Sequence, residues 1–277
     1  MSSGSMATTT LAALAGLGVG SLGVVAYMKA SKWWKSRQSG SKVEANLQDR
    51  PSRQQHALTL YHSFPFRSCR CAWLINELDA SEHVTIVPIA LHGSDAKDLM
   101  SYREIHPHGT LPALKLEDGT VLLESSAICL YLAEIFLDSD GGSLLPDPQH
   151  TSEYYNFICY AASSLDHILD PLYMQLTHTP EDKRNHAQVE SLKRKFTITA
   201  NVLSNHLADR EYICGDKFTA ADCVMGFNVW WASMVKGGAL LEDHPVLRDY
   251  LERIKSRPNF QKTFVGKKQI KPSGGSI

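Results

Sequence analysis

Between Gly109 and Ala127 the chain reads GTLPALKLEDGTVLLESSA, and this stretch restricts the possible folds more than any other. Two short apolar runs, LPALKL and TVLLE, flank Glu117-Asp118-Gly119, a strong signal for an antiparallel hairpin. Pro112 stands at the mouth of the first strand, where a missing N–H is tolerated, and Glu124-Ser125 follows the second strand as a helix start. The hairpin must therefore feed directly into the helix SSAICLYLAEIF.

Upstream, HALTLYHSF alternates apolar and polar residues as a half-buried strand does. CRCAWLINEL carries helical spacing at Cys71, Leu74, Ile75 and Leu78. HVTIVPIAL reads as a second strand, parallel to the first through a right-handed crossover. The order β-α-β then β-β-α is that of a thioredoxin-like domain, expected over residues 57–138. Beyond DSDGGSLLPDP the strand signal stops. Four segments with a 3.6-residue period follow: Glu153 to about Gln175, Glu181 to Leu207, Ala220 to Met234 and Pro245 to Arg257. They predict an all-helical bundle over residues 150–265. The third is apolar nearly all round yet contains Asp222, so it reads as a buried central helix. Thr219 and Asp222 have the spacing of a capping box, a structural role.

Residues Ala7 to Met28 form a run of 22 without a charge. As a helix it would be about 33 Å long, enough for a bilayer core of about 30 Å. A cleaved signal would need a basic leader, and a transit peptide would need internal arginines. The expectation is one transmembrane helix over 7–28. Lys29, Lys32, Lys35 and Arg37 on its C-terminal side place the body in the cytosol, at the mitochondrial outer membrane or the endoplasmic reticulum. Residues 29–56 read as a flexible linker.

A net charge of −1 argues against nucleic acid as a partner. The six cysteines lie within periodic apolar segments and read as reduced thiols. No metal site is expected, since no Cys-x-x-Cys or His-x-x-x-His pair is present.

HPHGTLP, ESSAI and YICGDKFTAADCVMG occur in this order, and together the three motifs resemble the soluble, cytosolic-type glutathione S-transferase superfamily over Leu58 to about Phe264. The resemblance implies an α/β plus all-α fold, the thioredoxin-like domain preceding the helical bundle. It implies glutathione as co-substrate, a small hydrophobic electrophile as second substrate, and a homodimer. Carried onto this sequence, it assigns glutathione binding to His106, Leu111, Pro112, Glu124 and Ser125. A cis peptide before Pro112 would turn the backbone of Leu111 outward to pair with the tripeptide like an added strand. The helix starting at Ser125 would hold the γ-glutamyl carboxylate at its N-terminus, and Glu124 would pair with the ammonium group. The implied reaction is glutathione-dependent conjugation or reduction of small hydrophobic electrophiles, with glutathione peroxidase as a possible side activity, and the expected anchor would place it at a membrane surface.

Catalysis in that family consists of stabilising the glutathione thiolate. Lowering a thiol from about 8.5 by about 2 units is worth roughly 2.7 kcal/mol. In this respect the sequence departs from the family. It looks most like fungal and bacterial members with Ser-x-x-x-Arg-x-x-Trp, and their serine falls on Phe66, which has nothing to donate. Ser68, near Arg67 at a helix N-terminus, and Ser63, at the strand end, are the candidate catalytic residues. Cys69 would instead support thiol transfer through a mixed disulfide. A non-catalytic member of the fold, serving as a binding or membrane-organising protein, is the remaining alternative. Arg70 is expected to pair at the domain interface. Tyr154, Tyr155, Phe157, Tyr160, Trp230 and Trp231 are candidates for an electrophile pocket, though aromatic residues at helical spacing more often form a core.

Overall fold

The computed structural model describes residues 56–90, 96–136 and 143–267. β1 (Leu58–His62) leads through a loop into α1 (Ser68–Glu77), and β2 (Val84–Pro88) returns parallel to β1. α2 (Ala96–Ile105) comes next, before β3 (Ala113–Lys115) and β4 (Val121–Leu123) form the hairpin. The strand order is β2-β1-β3-β4, with β3 antiparallel to both neighbours. α3 (Ser125–Ile135) follows β4 directly.

Alternation along β1 divides the sheet into two faces. Leu58 and Leu60 are buried beneath α1 and α3, whereas Tyr61 points the other way and meets Tyr102 of α2 at 5.5 Å between ring centroids. α2 had no expectation in the sequence. Its apolar residues are few, and packing by Tyr102 and Ile105 against Leu111 and Ala113 holds it.

The helical half begins with α4 (Thr151–Tyr160), which runs through a π-helical turn at Ala161–Leu165 into α5 (Asp166–Tyr173) and a second such turn at Met174–His178. α6 (His186–Leu207) starts later than expected, because Asn185 caps it by accepting from the Gln188 N–H at 3.0 Å. α7 (Ala220–Met234) is central, followed by α8 (Pro245–Lys255) and a further short helix, α9 (Pro258–Phe264), that lies against α1.

Asp222 plays the expected structural part. One carboxylate oxygen accepts from the Thr219 N–H at 2.8 Å, and the other accepts from the Ile213 N–H at 2.9 Å and the Tyr250 hydroxyl at 3.0 Å. Gly226 lets α7 approach its neighbours, since a Cβ there would lie 2.8 Å from Ile254 and 3.2 Å from Trp73. Trp73 is fully buried, worth about 3 kcal/mol, and its indole N–H donates to Glu77, which Arg257 grips through both carboxylate oxygens.

The membrane-spanning architecture and the membrane localisation are corrected. Among the described residues no helix is long and apolar enough to cross a membrane. α6 has the length but carries Glu190, Lys193, Arg194 and Lys195. α7 is apolar but has 15 residues, about 22 Å, and is buried in protein. The run Ala7–Met28 and the linker 29–56 expected after it lie outside the described residues, except for His56 at the linker's end.

Candidate active site

The loop from β1 to α1 is folded around one hydroxyl. Ser68 Oγ donates to the Ser63 carbonyl at 3.0 Å, accepts from the Ser63 N–H at 3.1 Å, and lies 2.9 Å from His62 Nδ1. A hydroxyl has one proton, here given to Ser63, so Nδ1 of His62 must be the protonated ring nitrogen. Ser68 is 0% exposed and Ser63 is 2% exposed. Within the loop the Phe64–Pro65 peptide is cis, and Phe66 is held by its backbone, its N–H on Ser63 and its carbonyl on the Cys69 N–H. Cys69 is fully buried, and burial pushes its thiol far up, so it offers no thiolate for disulfide exchange. The expectation of thiol transfer through Cys69 is therefore corrected.

Beside this loop a cleft of about 280 Å³ opens between the sheet and the helical half. One wall comes from the turn before β3 and contains His106, Thr110, Leu111 and Pro112. The Leu111–Pro112 peptide is cis, as the motif leads one to expect. The turn is pinned from behind, because the Tyr102 hydroxyl donates to the Thr110 carbonyl at 2.6 Å and His106 Nε2 lies 3.0 Å from the Thr110 hydroxyl. Burial and the neighbouring His108 lower the His106 pKa, partly opposed by Glu124, so its ring is neutral.

The floor is the N-terminus of α3, with Glu124 and Ser125. First-turn N–H groups of a helix have no intrahelical acceptor, which suits this end to an anion. Glu124 has φ +69°, a left-handed conformation that side-chain-bearing residues seldom adopt. The opposite wall is Ala162 on the first π-turn and Asp166, His167 and Asp170 on α5, closed by Arg67 from the β1–α1 loop.

Thus His106, Leu111, Pro112, Glu124 and Ser125 converge on one cleft, whereas Ser63 and Ser68 do not line it. The physical reason is the inward hydrogen bonding of Ser68, which makes it the keystone of the loop.

Arg67 and Arg70 tie the cleft together. Arg67 Nε donates to Asp166 at 2.8 Å and its Nη2 to Asp170 at 3.0 Å, and the guanidinium stands 5.4 Å from the centre of the Trp231 ring. Burial works against the Arg67 charge, but Asp166 and Asp170 outweigh it and raise its pKa. Arg70, fully buried, donates to both Asp166 oxygens, at 2.7 and 3.0 Å, to Ser125 Oγ at 3.0 Å, and to Asn228 on α7. Burial would raise the Asp166 pKa, yet the two guanidiniums more than reverse this and keep the carboxylate ionised. Arg70 thus joins α1 to the helical half, as expected.

Asp166, Asp170 and Asn228 were missed as site residues. Asp166 and Asp170 are spaced i, i+4 and so share one helix face, a signal available in the sequence. Asn228 was hidden in an apolar run. Of the aromatic candidates, Tyr154, Phe157 and Trp230 are core, Tyr155 is exposed, Tyr160 packs against the core, and Trp231 lies beneath Arg67.

Residues 67–135 match the family pattern described as glutathione S-transferase, N-terminal domain, and 165–258 match glutathione S-transferase, C-terminal domain. Glutathione S-transferase PM239X14 of Arabidopsis thaliana is 32% identical over 158 residues, covering 55% of this chain and 70% of that protein. The chain belongs to the glutathione S-transferase superfamily. Glutathione S-transferase GstA of Escherichia coli O157:H7 is 29% identical over 196 residues, 70% of this chain and 92% of that one. Glutathione S-transferase III in its apo form superposes with a TM-score of 0.60 at 27% identity, covering 76% of this chain and 96% of its own. As a glutathione S-transferase, the chain has glutathione as its co-substrate.

Proposed function

We propose that this transferase joins the thiol of glutathione to small hydrophobic electrophiles in the cleft between sheet and bundle, with hydroperoxide reduction as a side activity. The observation that carries the reading is the convergence of Leu111, cis-Pro112, Glu124 and Ser125 on one cleft. The Leu111 backbone would pair with the cysteinyl unit, with His106 supporting the turn from behind. The N-terminus of α3 and Ser125 would take the γ-glutamyl carboxylate, while Glu124 would take the ammonium group. The chemistry differs from that of serine-type members, because Phe66 stands where their hydroxyl would. We take the assembly to be a homodimer, as the family resemblance implies, and size-exclusion chromatography with light scattering tests this.

Phe66 also favours a second reading, a member of the fold that binds glutathione without using its thiol. Retention on immobilised glutathione together with turnover of chlorodinitrobenzene supports the enzyme. Retention without turnover of that compound, of other electrophiles or of cumene hydroperoxide supports the second reading.

A further inference from the structure

Resting on the reading of this cleft as the glutathione site, we propose that the guanidinium of Arg67 stabilises the glutathione thiolate in place of the hydroxyl found in other members. Of residues 63–70, Arg67 is the one that lines the cleft, its guanidinium bonded to Asp166 and Asp170 of the opposite wall. Ser63 and Ser68 are buried, the Ser68 proton is committed to the Ser63 carbonyl, and a phenyl ring at position 66 has no N–H or O–H. Among the described residues lining the cleft, Arg67 is also the only permanent cation.

The charges around it permit this role. Asp166 is shared between Arg67 and Arg70, and Asp170 is half exposed and screened by solvent. Two guanidiniums therefore face two carboxylates, and the near-zero sum leaves the short-range field of Arg67 to act on a neighbouring sulfur. Glu124 at the floor is opposed by the ammonium it would bind, and the His106 ring is neutral. His167 lines the cleft from α5 and is exposed to solvent, which screens it. The bonds to Asp166 and Asp170 occupy two of the five guanidinium N–H groups and fix its plane. In the reaction the thiol proton passes to water and the thiolate forms a C–S bond to the electrophile. The leaving group departs with its bonding pair, and no oxidant or reductant takes part.

Two variants test this by moving the thiol in opposite directions. The pH dependence of kcat/KM with chlorodinitrobenzene and the ultraviolet thiolate absorbance of bound glutathione are measured for both. Arg67→Gln should raise the apparent thiol pKa by about one unit and lower kcat/KM at neutral pH about tenfold, with little change in glutathione affinity. Asp170→Asn, which removes a half-exposed carboxylate and threatens folding little, should lower the thiol pKa. A purely structural role for Arg67 predicts no such opposition. Retained glutathione binding with pH profiles that coincide with the unmodified chain, or an upward shift in Asp170→Asn, overturns the proposal alone. Failure of the unmodified chain to bind glutathione removes the underlying reading and the proposal together.

Discussion

Arg70 Nη1, wholly withdrawn from solvent, donates to Ser125 Oγ at 3.0 Å across the interface between α1 and α3. Arginine has no acceptor, so the serine oxygen receives this bond and its own proton is left to turn toward the cleft. Replacing Arg70 by Met removes the partner of Ser125, Asn228 and part of Asp166 at once. Urea unfolding should show a loss of about 3–5 kcal/mol, the range for breaking a buried pair. Ser125→Ala should keep most of the stability and weaken glutathione binding, measured by titration calorimetry.

Glu124 combines a backbone strain with a charge at the cleft floor. Glu124→Gly should be more stable than Glu124→Ala by roughly 1 kcal/mol, because glycine adopts positive φ without a Cβ clash. Both should lose the ammonium contact, worth about 1.5–3 kcal/mol, so KM for glutathione rises about tenfold or more. Equal thermal midpoints for the two variants would contradict the strain, and an unchanged KM would contradict the contact.

Ser68→Ala should leave kcat/KM and its pH profile nearly unchanged. It strips the Ser63 N–H and His62 Nδ1 of their common partner, so stability should fall by about 1–3 kcal/mol. A large drop in kcat with normal stability would restore a catalytic part for this hydroxyl.

Burial pushes the His62 imidazole down to about 4 from 6.5, helped by the positive Lys267 and opposed by Ser68. The unfolded chain takes up this proton below about pH 6.5, and the folded chain only near 4. The stabilisation is therefore present above pH 6.5 and is lost as pH falls toward 4, up to about 3 kcal/mol. Urea midpoints followed over that window should fall less steeply in His62→Gln than in the unmodified chain, and parallel curves would refute the assignment.

The hairpin, its turn and the helix after it were legible because their signals are local: a proline, Asp-Gly, and a period that changes from 2 to 3.6 between Val121 and Ile128. The long helices were legible for the same reason, and so was the cap at Thr219 and Asp222. α2 was not, since its hold on the sheet comes from Tyr102 and Ile105 meeting Leu111 and Ala113 across the fold. Ser68 was a candidate for catalysis because its position at a helix start is visible in sequence, but its burial and the direction of its proton are not. Arg67 was noticed only as a neighbour of Ser68, since nothing in a linear chain shows that it meets Asp166, 99 residues away.

The strands, the hairpin and most of the helices follow from the amino-acid sequence, because local propensity and short-range spacing decide these, whereas the residues assigned to glutathione came from the family resemblance of HPHGTLP and ESSAI. Tertiary structure alone decided which side chains of the β1–α1 loop reach the cleft. That choice rests on burial and long-range pairing: Ser68 turns inward to close its loop, and Asp166 and Asp170 draw Arg67 to the cleft wall.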